Sequence, residues 1–474
     1  MDAPLPRLSA AQAAARLGVR QQTLYAYVSR GLLSRERNAQ GSTFDALELE
    51  QFASSRRRSG PRTTDAAPAG SPLMVLDTDI ALVEDGELYF RGVPAAELAL
   101  GHRYESVARW LWGEPLAERA SGFGGDPEAV AAARTAVAAL GSGATPLDRI
   151  QVAVPVLGAV DPTRHDLAPS SVRIVAERLI GGVVAALAPS GADAAPLSPR
   201  AADAAPLSPR AADAAPLSPR ATDAAPLSQS AGPGRRHPHF ATAEPSADSA
   251  GTPVEGDSPI ADAVWTAFTG LPPTDAEFRA LNAALVLLVD HDLAVSTLAA
   301  RAAASARATP YAVVSSGLGA LDSALHGNAS RAACELIGMM FDGEDARTAL
   351  ARTVARTARP APGFGHAAYS GVDPRAGILL PLVAELPDGR RVLDAVDRLT
   401  GEVLARTGRH PNVDLALAAL TTAARMPPDA GAAIFAVGRM AGWIAHALDE
   451  YAQRPLRLRP RGRYVGPMAG SPPE

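Results

Sequence analysis

Three short segments decide how this chain is read: Leu325-His326-Gly327, Gly363-Phe364-Gly365-His366 and Pro411-Asn412-Val413-Asp414. Each sets a histidine or a carboxylate beside glycine or proline, within a stretch otherwise rich in Ala, Leu and Val. Glycine lets the backbone turn tightly and approach a ligand, and proline favours a helix start. Taken singly, a histidine at a helix end is usually a satisfied structural residue, and an aspartate after Pro-Asn-Val an N-cap. Taken in order, the three suggest an acid–base constellation assembled from separate helix ends. His326, at a helix–loop junction beside a glycine, can have its tautomer set by a backbone amide.

The 474 residues exceed one ordinary core, so two or three domains are expected. A hydrophobic content of 47% with 20% charged residues suits a globular chain. The net charge of −5 provides no overall attraction to nucleic acid or membrane. All 45 basic residues are arginine, which reads as coding bias. One cysteine, Cys334, excludes an intramolecular disulfide and fits a reducing compartment. The amino terminus has no apolar signal-like run, and no uninterrupted apolar stretch of 18 residues occurs. A cytoplasmic location without membrane contact is therefore expected. Spacings such as His-Glu-x-x-His or Cys-x-x-Cys, a Walker loop, a Gly-x-Ser-x-Gly elbow and a dinucleotide fingerprint are all missing from the sequence, so no metal site is expected.

Charge is uneven along the chain. Residues 1–63 carry ten arginines against five acidic residues. Ser9 as N-cap, Ala10 to Leu17 and Gly18 predict one helix; Gln21 to Arg30 predicts a second, ended by Gly31. Asn38 to Gly41 forms a small wing, and Asp45 caps a third helix, Ala46 to Phe52. The phrase from Ala14 to Leu33 resembles the winged helix-turn-helix of the MerR and excisionase families. That resemblance implies that Arg20, Gln21, Gln22, Thr23 and Tyr25 face a major groove and that Arg35 and Arg37 contact phosphates. Such modules also serve purely as protein-contact domains, and both readings stay open. Residues 1–58 are read as this domain, and 59–71, rich in Pro, Gly, Ser and Thr, as a linker.

Beyond the linker, 72–187 read as two short extended pieces, Leu73 to Leu82 and Gly86 to Arg91, followed by helices. These helices are Tyr104 to Trp112, Asp126 to Leu140, Pro146 to Ala159 and Ser170 to Leu187. The decapeptide Ala-Asp-Ala-Ala-Pro-Leu-Ser-Pro-Arg-Ala recurs at 192–201, 202–211 and 212–221, with a degraded copy from Thr222. Such proline-rich repeats cannot bury a core, so 188–258 is expected to be a disordered insertion. Helical pattern returns at Ile260 to Thr269, Asp275 to Val289, Ser296 to Ala308, Tyr311 to Leu325, near Ala329, and Leu415 to Arg425.

The ordered phrases Asp290-His291-Asp292, Leu325-His326-Gly327, Gly363-Phe364-Gly365-His366, Asp373-Pro374-Arg375 and Pro411-Asn412-Val413-Asp414 resemble those of citrate synthases. So do Tyr89 to Pro94, the run Ile434 to His446, and Arg459 to Pro467. The resemblance covers about 72–187 and 259–467. It implies a mainly α fold with large and small helical domains, the small one inserted at roughly 328–430 of the part spanning 259–474.

It also implies roles. Asp414 would be the base that deprotonates the methyl of acetyl-coenzyme A, and His326 would stabilise the enol oxygen. His366 would polarise the keto carbonyl of oxaloacetate. His291, Arg375, Arg439 and Arg459 would hold the carboxylates, Arg459 coming from the partner of a homodimer. No cofactor is implied beyond acetyl-coenzyme A as co-substrate. The chain departs from the family where cations usually follow Gly-His: here stand Ala367, Ala368, Tyr369 and Ser370. Ala324, Asn328 and Leu415 replace the usual proline, glycine and aromatic residue. Propionyl-coenzyme A as donor, giving 2-methylcitrate, is the alternative substrate. A DNA-binding regulator that senses oxaloacetate or an acyl-coenzyme A is the alternative of another class.

Overall fold

The computed structural model describes residues 6–38, 41–59, 76–118, 120–188, 258–323, 329–357 and 361–459. The repeat insertion expected at 188–258 lies outside them from residue 189 to 257, as does most of the 59–71 linker. His326 and the tail from Pro460 onward also lie outside.

The chain begins with a small α/β unit. Ser9 and Gln12 form a capping box at the start of Ala10–Leu17, and Gly18, left-handed at φ 63°, ends it. The second helix is Gln21–Ser29. Strand Gly41–Asp45 is the middle of a three-stranded antiparallel sheet between Arg7–Ser9 and Glu36–Asn38. The Asp45 carboxylate accepts from the N–H groups of Leu47 and Glu48. The helix it caps, Ala46–Ser59, runs beyond the expected Phe52. Leu8, Leu24, Phe44, Leu47 and Leu49 form the unit's core. Its outer side packs on two later helices, Ala346–Thr357 and Gly389–Thr407.

The rest is helical apart from a three-stranded meander, Ala81–Glu84, Glu87–Phe90 and Val93–Pro94. At its centre lies Ala430–Ala452, long and apolar enough to cross a membrane but buried over nearly its whole length by other helices. Val295–Ser305, Pro310–Leu321, Asp275–Leu287, Pro169–Leu187 and Pro146–Val160 pack around it. Tyr104 donates from Oη to the carbonyl of Val437 (2.8 Å), and Trp112 from Nε1 to that of Ala441 (2.9 Å). Both rings are buried in the core.

Gly442 controls the tightest contact. A Cβ there would stand 1.9 Å from the carbonyl oxygen of Val289. With no side chain, the central helix slides directly against the end of Asp275–Leu287. That approach brings Arg439, on the central helix, beside the Asp290-His291 corner. Five more helices, Ala329–Phe341, Ala346–Thr357, Pro374–Val383, Gly389–Thr407 and Val413–Ala423, form a cluster on one side. Pro374–Val383 packs on Asp275–Leu287, and the candidate site lies along that seam.

Candidate active site

Two of the three opening segments are described, and the backbone clamps them together. Gly363 and Gly365 have φ of +82° and +83°, a conformation that only glycine adopts without strain. Between them, Phe364 forms a β-bridge with Pro411. The Gly365 N–H donates to His410 O (2.7 Å), the Asn412 N–H to Gly363 O (3.0 Å), and Asn412 Nδ2 to Gly365 O (3.0 Å). Asp373 locks the same corner. Its side chain caps Pro374–Val383 and also accepts from the Val413 N–H at 3.1 Å, while its own N–H donates to Pro411 O (3.2 Å).

Asp414 has a different local role from the one its position suggests. The N-cap of Val413–Ala423 is Asn412, whose side-chain oxygen accepts from the N–H groups of Asp414 and Leu415. Asp414 sits in the first turn with its carboxylate not consumed by capping. Burial pushes that carboxyl up to about 6; Asp373 adds to the rise and Arg375 opposes it. A carboxylate with such a pKa is a stronger base than an ordinary one and is still mostly ionised at neutral pH.

His366 and His291 meet edge to face with ring centroids 4.7 Å apart, and Tyr369 completes the cluster. His291 Nε2 and Tyr369 Oη are 2.8 Å apart. The Ala368 N–H donates to Nδ1 of His366 (3.1 Å), so the proton of the neutral ring resides on Nε2. Burial and then the charge of Arg375 lower His366 to about 4, so it is neutral at physiological pH. Burial, followed by Arg375, His366 and Arg439, drives His291 far below the usual histidine value.

Arg375 is the electrostatic hub. It is buried and pairs with Asp373 through Nε (3.0 Å) and Nη2 (2.7 Å). Burial alone would raise Asp373, yet this pairing leaves its carboxyl below the ordinary range. Arg439 is also buried. Its Nε donates to Leu288 O (2.7 Å), while Nη1 has no hydrogen-bond partner among the described residues. Burial brings Arg439 down to about 10, with Asp290 opposing and Arg375 adding to the fall. A buried guanidinium N–H without a partner is costly, and an anionic ligand would satisfy it.

His291, His366, Arg375, Arg439 and Asp414 are thus gathered at one seam. His326 lies outside the described residues; the helix before it ends at Leu321, short of the expected Leu325, because Asp322 leaves helical geometry at ψ 69°. Arg459 is exposed at the end of the described chain. The sequence places Tyr369 and Asp373 in its phrases but assigns neither a role in the site. Asp373-Pro374 carries a readable capping signature, whereas nothing local marks Tyr369 as the partner of His291. Of the expected groove-facing residues, Arg20, Gln21 and Gln22 are exposed, and Thr23 and Tyr25 partly so. Arg35 and Arg37 are exposed on the strand side, with the Arg35 guanidinium 5.7 Å from the Tyr25 ring centroid.

A raised carboxyl, a neutral imidazole donor and two buried guanidinium groups make a site for proton transfer beside a bound anion. The chain belongs to the citrate synthase family: the model described as "Citrate synthase, C-terminal domain" matches residues 71–461. Citrate synthase 2 of Bacillus subtilis is 32% identical over 220 residues, 45% of this chain and 59% of that protein. The 2-methylcitrate synthase of Shewanella oneidensis is 32% identical over 203 residues, 42% of this chain and 53% of that protein. The alignments thus span between half and two thirds of these relatives. The fold is that of Thermoplasma acidophilum citrate synthase in its ternary complex with carboxymethyl coenzyme A and oxaloacetate. The TM-score is 0.61 at 20% identity, covering 85% of this chain and 96% of that one.

Proposed function

We propose that the protein condenses acetyl-coenzyme A with oxaloacetate and hydrolyses the resulting thioester, giving citrate and free coenzyme A. The observation that carries this reading is the raised Asp414 carboxyl in one cluster with the Nε2–H of neutral His366. Asp414 takes a proton from the acetyl methyl while His326 donates to the carbonyl oxygen that becomes the enol. The methyl carbon then forms a bond to the keto carbon, whose oxygen receives a hydrogen bond and finally a proton from His366. Water cleaves the thioester and the thiol departs. His291, Arg375 and Arg439 hold the carboxylates of oxaloacetate, with Arg459 supplied by the second subunit of a homodimer. These are protein groups, so no further cofactor is needed. The single thiol supports a reducing compartment such as the cytoplasm.

Purified protein should release thiol from acetyl-coenzyme A only when oxaloacetate is present, and Asp414→Ala should abolish it. Similarity to 2-methylcitrate synthases favours a second donor reading, which the same assay with propionyl-coenzyme A decides. The exposed Ala367 and Ser370 stand where cations are expected, which predicts a high KM for coenzyme A esters. Residues 1–58, with two helices, a capped third and a β-ribbon, are read as a winged helix-turn-helix that contacts duplex DNA through Arg20, Gln21, Gln22, Thr23, Tyr25, Arg35 and Arg37. Thiol release with neither donor, combined with salt-sensitive DNA binding, would replace the enzyme reading by a regulator.

A further inference from the structure

The amino-terminal unit approaches the His366 turn at Glu50. Glu50, on helix Ala46–Ser59, is 3% exposed and paired with the equally buried Arg16. Its Oε1 lies 3.9 Å from Nη1 of Arg409. Arg409 follows Gly408, the left-handed residue that ends Gly389–Thr407, and that helix packs against Ala46–Ser59. The aliphatic arm of Arg409 then runs along the backbone of Gly365. A Cβ built on Gly365 would stand 3.2 Å from Cδ and 3.4 Å from Cγ of Arg409.

We propose that Glu50 and Arg409 are positioning residues for His366. The carboxylate of the amino-terminal unit anchors the guanidinium, which holds the arm of Arg409 against Gly365. That contact backs the turn that the Asn412 Nδ2 bond to Gly365 O also holds, fixing the backbone from which the His366 ring projects. A long arginine side chain has many rotamers, and a buried anionic anchor selects one of them. The unit at 6–59 is in this way mechanically joined to the site, and a ligand that shifts helix Ala46–Ser59 would alter His366. The kinetic consequence rests on the condensation reading; the structural consequence does not.

The test uses the full chain with Arg409→Met and Glu50→Gln. Glu50→Gln leaves Arg16 without its counter-charge, so Arg409→Met, which keeps that pair, is the variant that isolates the contact. Amide hydrogen exchange over 363–368 should become about tenfold faster in both, with the central helix Ala430–Ala452 unchanged. Turnover should fall about tenfold with little change in KM for acetyl-coenzyme A, the double variant no worse than either single one. Arg409→Lys should recover part of both. Unchanged exchange over 363–368 in Arg409→Met, or additive losses in the double variant, overturns the proposal. If exchange responds while the wild type turns over neither donor, the coupling stands and the condensation reading falls.

Discussion

Asp414→Asn should make the protein more stable at neutral pH while removing its activity. Burial raises the Asp414 carboxyl from 3.8 to about 6, with Asp373 adding and Arg375 opposing. Two pKa units correspond to about 3 kcal/mol, and the partial exposure of the side chain reduces this to roughly 2 kcal/mol. The sign follows from proton linkage. The folded state keeps the proton between about pH 4 and 6, where the unfolded chain has lost it, so the wild type loses stability as pH rises through that window. At pH 7 it carries the full penalty of a desolvated carboxylate. An asparagine of the same shape does not, and the variant should be about 2 kcal/mol more stable there. Below about pH 4 the aspartate is protonated in both states and the advantage should vanish. Urea titrations of both proteins at pH 7, 5 and 4 measure this directly. An asparagine variant that is less stable at pH 7, or one whose advantage does not change with pH, refutes the burial argument. Thiol release should meanwhile drop by a factor of about a thousand or more.

The acid limb of the pH–rate profile should fall with a slope of one and a midpoint near 6, because His366, at about 4, is already neutral there. A midpoint near 4 or a slope of two contradicts the assignment of Asp414 as the base. Tyr369→Phe removes the hydroxyl 2.8 Å from His291 Nε2, and should lower stability by about 1 kcal/mol and raise the KM for oxaloacetate. Gly442→Ala places a methyl 1.9 Å from Val289 O and should destabilise by about 3 kcal/mol or more, seen as a lower Tm. Deleting 192–230 should leave thermal unfolding and thiol release unchanged; a collapse in Tm would show that the repeats belong to the fold.

Local signals made much of the helical content readable. Ala10–Leu17 and Ile260–Thr269 have the bounds expected of them, because capping residues and left-handed glycines act within a turn of where they stand. Pro374–Val383 and Gly389–Thr407 carry weaker signals. The first contains Pro381 inside the helix, and the second owes its stability to an apolar stripe that Val413–Ala423 covers.

By itself, the order of chemical groups along the chain determined the class of site. Glycine on either side of Phe364, the Asp-Pro-Arg phrase and Pro-Asn-Val-Asp are covalent facts, and they restrict the backbone wherever they occur. Only the tertiary structure decided what those groups could do. Asn412 takes over the capping that sequence assigns to Asp414, and Asp373 ties two helix starts together across forty residues. Burial first, with the charge of Arg375 adding to or opposing it, shifts the protonation of groups on four different segments. Those effects depend on desolvation and on distances through space, which a linear sequence does not contain.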